Sequence, residues 1–282
     1  MRVIAAALTI LLWAPQLCLA FTPPLTVLLK DIASGKKGTA FELSFTHRIR
    51  TDASEQPTVL IERLIRDNRQ VRVHWSDTQA AHTVSAEWNG KQYTIPNHPS
   101  IASHSKALLQ AILATNPDEL IGTLRTEQFI RSDQLIQYKP GFEFDGDPNY
   151  WRLRENYIIH PDIVLKRLGN EIAYSVVGYD GGKEKRVLFI DHAVRGIARI
   201  EWESESGVTA WNLFSYVPHS ELGYVPGKMS FETANTVLIE SELNSANLLS
   251  TKAIKNIRKM KPQNSRDPIP FETALKILLS FR

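Results

Sequence analysis

The residues with the most chemical look in this 282-residue chain are three carboxylates in FEFDGDPNYW: Glu143, Asp145 and Asp147. Two acids two residues apart in a Gly-Pro loop, with a third nearby, could hold calcium or divide acid–base work. A solvated turn has the same composition, so this stretch makes a hydrolase only the third of three functional readings. Eight histidines invite a metal search. His98 and His104 are separated by five residues, no HExxH occurs, and the one cysteine is Cys18, so zinc-ligand spacing is missing. His160-Pro161-Asp162 and Asp191-His192 place acid beside imidazole, but neighbours on a strand point to opposite faces. There is no G-x-S-x-G elbow, phosphate loop or dinucleotide fingerprint. The chain does not read as an enzyme, and no metal or cofactor is expected.

The elements that would position such residues are mostly strands. Thr22-Pro23-Pro24 ahead of Leu25, Leu28, Leu29 and Ile32, with Gly35 just beyond, predicts a short amphipathic helix. In FELSFTHRI, Phe41, Leu43, Phe45 and Ile49 share one face in period two. TVLIERLIR, QVRVHW and VSAEWNGKQYTI continue the pattern, and Asn89-Gly90 is a hairpin turn, since both residues tolerate positive φ. Sheet then yields to helix. Ile101, Ala102, Ser105, Leu108, Leu109, Ile112 and Leu113 form a stripe, and Asn116-Pro117 with Glu119 as reciprocal cap starts a second helix through Leu120, Ile121 and Leu124. Strands are expected again at 129–138, 151–157, 172–179, 187–190, 197–203, 209–217, 228–233 and 236–243. The class is α+β: a single curved antiparallel sheet of about 10–11 strands, an unclosed barrel whose concave apolar face is covered by a helical lid.

Residues 1–20, with Arg2, an apolar run over Val3–Ala14 and small residues near Ala20, read as a signal peptide, which leaves a mature chain without a thiol. The expected address is the periplasm of a Gram-negative envelope. A cysteine-free chain of this length must be held by buried apolar area. Residues 21–250 read as one domain carrying twenty-four Lys or Arg against twenty-eight acids. The extension 251–282 holds eight basic residues against two acids and reads as a solvated tail ending in a short helix over 271–279. Such a tail could touch anionic lipid or an acidic partner. Basic residues elsewhere are interleaved with acids, which excludes a nucleic-acid surface.

Three stretches, LSFTHRI (Leu43–Ile49), VRVHW with WNGKQYTI, and VLFIDHAVRGIARIEWESESGVTAWNLFSY (Val187–Tyr216), together resemble the LolA/LolB-like superfamily of outer-membrane lipoprotein carriers. His47 stands where that family usually has Gln. The resemblance implies a hydrophobic cavity that takes acyl chains of lipoproteins or other lipids. The predicted strands are rich in aromatics, and the residues expected to line the cavity are Phe41, Leu43, Phe45, Trp75, Trp88, Trp202, Trp211 and Phe214. Arg66 matches a basic residue near the carriers' lid and is expected at the cavity mouth, with Arg63 and Arg72 as competitors. The function expected is a non-catalytic periplasmic carrier or chaperone. The alternative is a lipid or lipoprotein sensor resembling the RseB/MucB regulators of a membrane partner.

Overall fold

The computed structural model describes residues 23–34, 40–50, 56–67, 70–80, 82–88, 92–95, 101–102, 106–135, 163–234, 236–259 and 272–280. The expected leader, the Glu143–Asp147 cluster, His98, His104, His160, the Asn89-Gly90 turn and the strand expected at 151–157 lie outside these residues.

Two runs of strands form the sheet. The first comprises β1 (Ala40–Ile49), β2 (Thr58–Asp67), β3 (Gln70–Ser76), β4 (Thr83–Trp88), β5 (Gln92–Thr94) and β6 (Ile101–Ala102). The second comprises β7 (Ile163–Leu168), β8 (Glu171–Asp180), β9 (Glu184–Asp191), β10 (Ile197–Ser204), β11 (Gly207–Phe214), β14 (Lys228–Thr233) and β15 (Thr236–Leu248). A separate hairpin pairs β12 (Val217–His219) with β13 (Gly223–Val225). All thirteen strands of the main sheet pair antiparallel in the order β6-β5-β4-β3-β2-β1-β15-β14-β11-β10-β9-β8-β7. The last strand returns to pair with the first and joins the two runs.

Laid flat, such a sheet would be nearly 60 Å wide at about 4.8 Å per strand. One continuous apolar cluster nevertheless contains Tyr93 of β5 near one edge and Ile163 of β7 at the other, together with the helices. The sheet therefore curls around that cluster, and register shifts at Ser44/Phe45, Val177/Tyr179, Ile197/Arg199 and Phe231/Glu232 mark places where it bends. Its two end strands do not pair with each other, so the barrel stays open.

Helices α1 (Leu25–Ser34), α2 (Lys106–Leu113) and α3 (Pro117–Thr126) cover the inner face. Leu25, Leu28, Leu29 and Ile32 of α1 are buried at the 3–4 spacing read from the sequence. Helix α3 begins as expected, with Pro117 first and the Asn116 side chain accepting the Asp118 N–H at 2.9 Å.

Several expectations are corrected. Ile101–Ala102 is a strand, so helix starts only at Lys106. Phe129–Leu135 is a run of turns ending in a 3₁₀ turn at Asp133–Leu135, because this segment crosses over β8 and cannot pair with it. The sheet has thirteen strands, among them the two-residue β6, where helix was expected, and the exposed edge strand β7, which was not expected. The basic tail holds two packed helices, α4 (Thr251–Lys259) and α5 (Glu272–Ser280), where a solvated extension with one short helix was expected.

Candidate functional site

The inner face is set by register. Cross-strand partners face the same way, so the pairs Phe41↔Arg66, Leu43↔Leu64, Phe45↔Glu62 and His47↔Leu60 put all eight side chains on one surface. Glu62↔Trp75 and Arg66↔Val71 extend it to β3, and Val71↔Trp88 to β4. His47↔Ser241, Ile200↔Trp211 and Trp211↔Phe231 extend it across the other wing. Phe41, Leu43, Phe45, Trp75, Trp88 and Trp211 are all buried on this surface. Trp202 is half-buried at its rim, edge-to-face with Phe129 at 5.2 Å. Phe214 does not belong with them: it lies three residues from Trp211 on one strand, which turns it to the outer face, and it is 38% exposed.

Among the described residues the inner face, expected to line a hollow, is packed. The inner aromatics, the lid helices and α5 form one packed cluster in which Phe41, Phe45, Trp75 and Trp211 are fully buried. An open cleft of about 630 Å³ lies outside this interior, beside the end of α3, and is lined by Gly122, Arg125, Gln128, Arg131 and Tyr179 among others. None of the expected aromatics lines it.

Within the apolar surface sits a polar chain that the sequence reading passed over. Glu62 Oε1 accepts the Trp75 indole N–H at 3.1 Å, and Glu62 Oε2 lies 2.7 Å from His47 Nε2. His47 Nδ1 lies 2.7 Å from the Ser241 hydroxyl. His47 and Glu62 are 0% exposed. The order hydroxyl, imidazole, carboxylate is that of a nucleophile relay. Ser241, however, sits on an interior strand between β1 and β14, so its flanking N–H groups belong to the ladders and cannot stabilise an oxyanion. What the chain of contacts does accomplish is to fix register: a one-residue slip of β1, β2 or β15 would leave a buried carboxylate and imidazole without these partners. It also gives an oily surface one polar spot.

Arg66 is the second polar feature. Its side chain is 3% exposed on the inner face, and Nη2 donates to Glu119 Oε2 of α3 at 2.8 Å. Glu119 thus reaches the floor of the sheet, where the sequence suggested a reciprocal cap. Arg66 Nε has no hydrogen-bond partner among the described residues. Its competitors point outward: Arg63 pairs with Glu42 through two hydrogen bonds, which with their charge attraction raise its pKa against the opposing effect of burial, and Arg72 pairs with Glu87.

Helix α3 is consequently a strap fastened differently at its two ends. Its N-terminal turn is held to β2 by the Arg66–Glu119 pair. Beyond its C-terminus, Gly178 of β8 lies so close to the crossing chain that an added Cβ would stand 2.1 Å from the Phe129 carbonyl carbon. Arg131 and Gln134 both donate to Val177 O at 3.1 and 2.8 Å, and Arg186 donates to Glu127 O at 2.6 Å. The C-terminal end is bolted through backbone atoms, whereas the N-terminal end is tied through a side-chain ion pair and apolar contacts. Asp191, singled out beside His192 in the sequence, accepts the N–H groups of Ala193 and Val194 at 2.7 Å and so closes a turn.

Neither a protein-family model nor a curated protein matches the chain by sequence. Solved structures do resemble it. A LolA superfamily protein from Nitrosomonas europaea is 12% identical with a TM-score of 0.48, over 81% of this chain and 95% of that one. A putative outer membrane lipoprotein-sorting protein domain from Vibrio parahaemolyticus is 9% identical with a TM-score of 0.47, over 83% and 98%. MucB, solved in a Pseudomonas aeruginosa MucA/MucB complex, is 10% identical with a TM-score of 0.27, over 85% of this chain and 62% of that one. The likeness is one of architecture.

Proposed function

We propose that this protein is a non-catalytic, lipid-binding carrier or sensor of the bacterial periplasm, which takes acyl chains onto the inner face of its open barrel when the helical strap swings away. The observation that carries the reading is the pairing of an aromatic inner surface with a strap whose N-terminal turn is tied to that surface by the Arg66–Glu119 ion pair. A surface needed only as core would gain nothing from burying a guanidinium whose Nε–H meets no partner among the described residues.

The energetics suit such a role. Burying an acyl chain is worth about 0.8 kcal/mol per methylene, so a dozen carbons gain on the order of 10 kcal/mol. The closed lid already buries Leu25, Leu28, Leu29, Leu120 and Leu124 in the same cluster, and the two compete. Binding is then reversible, as a carrier or a sensor requires. Phe41, Leu43, Phe45, Trp75, Trp88, Trp202 and Trp211 would form the acyl surface, with Arg66 exposed on opening to meet a polar or anionic head. Residues 1–20 would direct export as a signal peptide. The test is titration of delipidated protein with a fluorescent fatty acid. Saturable binding displaced by palmitate is expected, and a signal no larger than that of an unrelated protein without an acyl site would refute the proposal.

A further inference from the structure

Helix α5 occupies an unexpected place for the end of a basic tail. Ala274, Leu275, Leu278 and Leu279 form one stripe, each buried to 5% exposure or less, while Glu272, Lys276 and Ser280 face outward and Glu272 pairs with Lys276 at 2.8 Å. The stripe belongs to the same apolar cluster as Phe41, Leu43 and Phe45, and the helix rests on β1 and β2. It can only be the inner face that it touches. The outward side chains of β1 there are Glu42, Ser44, Thr46 and Arg48; of the outward apolar residues of β2, Ile65 lies under α4 with Ile254 and Ile257, and Val59 and Ile61 do not belong to the cluster that holds the α5 stripe. Arg72 fixes α4 to that outer surface by donating to Ile257 O at 2.8 Å. The tail therefore grips β2 from both sides, with α4 outside over β2 and β3 and α5 inside over β1 and β2.

We infer that the seat of α5 on the inner face of β1 and β2 is the acyl-chain site, held in the absence of lipid by the protein's own C-terminal helix. This rests on the lipid-binding reading above and adds where the chain goes and what vacates the place. The match is chemical. Three leucines and an alanine present roughly a dozen side-chain carbons along a helix about 13 Å long, close to the carbon count and extended length of a lauroyl chain. Because α4 remains anchored outside, a displaced α5 stays tethered. Its return is intramolecular, and the closed form lowers the apparent affinity for lipid in proportion to the fraction of open protein.

The experiment uses the full chain and laurate. Hydrogen exchange of the wild type with saturating laurate is expected to strip protection from α5 amides while those of α4 keep theirs. In parallel, Leu278→Asn combined with Leu279→Asn is expected to lower the Kd for a fluorescent lauroyl probe at least about tenfold, since the competitor is weakened. Laurate binding with α5 protection unchanged would overturn the inference and leave the carrier reading standing. Absence of binding by both wild type and variant would overturn both. Should the variant fail to fold, the wild-type exchange measurement decides alone.

Discussion

Replacing Glu119 by Ala removes the anion that holds the free end of the strap, and its cost can be bounded from the two partners' environments. Arg66 is 3% exposed and Glu119 is 34% exposed. An exposed pair contributes about 0.5 kcal/mol, and stripping one partner from a fully buried pair costs about 4 kcal/mol. With one partner sealed and the other reachable by water, Glu119→Ala should cost about 2 kcal/mol, roughly a 30-fold rise in the opening equilibrium of α3. Arg66→Met should behave differently although it breaks the same contact. It deletes the buried charge along with an Nε–H that meets no partner among the described residues, and Glu119, 34% exposed, stays within reach of water, so the cost should stay under about 1 kcal/mol. Urea melts give the two stabilities, and amide exchange at Leu120 and Leu124 reads the opening of α3. Equal costs for the two variants, or unchanged exchange in Glu119→Ala, would show that the pair is not what holds the strap.

Three more outcomes follow from the same geometry. Gly178→Ala should destabilise the protein by on the order of 2–3 kcal/mol in urea melts, because its Cβ meets backbone at 2.1 Å and the bolt to Phe129 must shift. Trp211→Ala should cost about 3–5 kcal/mol and Phe214→Ser less than about 0.5 kcal/mol, which tests the assignment of the two residues to opposite faces. The third concerns acid. Burial first, then the charges of Arg63 and Arg72, lower the pKa of His74, with Glu42 opposing. The unfolded chain therefore binds this proton first as pH falls. The stability His74 contributes is complete above its ordinary value of 6.5 and is lost as pH drops toward the lowered folded value. Denaturation midpoints of His74→Gln should fall less steeply below pH 6.5 than those of the wild type.

Much of the architecture was legible because period-two alternation in β1 to β4 and β8 to β15 is strong and the connections carry turn residues. The inner-face list erred where it followed strand membership without parity. Trp211 and Phe214 share a strand, but an odd spacing separates their faces. The same parity already placed His47 with Phe41, Leu43, Phe45 and Ile49, so the buried imidazole could be found by counting. Its partners could not, since Glu62 and Ser241 meet it only through a register that long-range pairing sets. Glu119 looked like a local cap because sequence offers only local partners, and Arg66, fifty-three residues away, takes it instead. In the tail, charge concealed packing: Ile254 and Ile257 are spaced to cover one patch, yet the lysines and arginines around them read as solvated.

The central claim, that the aromatic inner face receives an acyl chain, is tested most directly by photo-crosslinking with a diazirine fatty acid followed by peptide mapping. Adducts concentrated on the strands carrying Phe41, Phe45, Trp75 and Trp211 are predicted, with competition by unlabelled palmitate. Adducts confined to outer-surface residues such as Phe214, Val217 and Tyr224, or labelling that palmitate does not reduce, would contradict it.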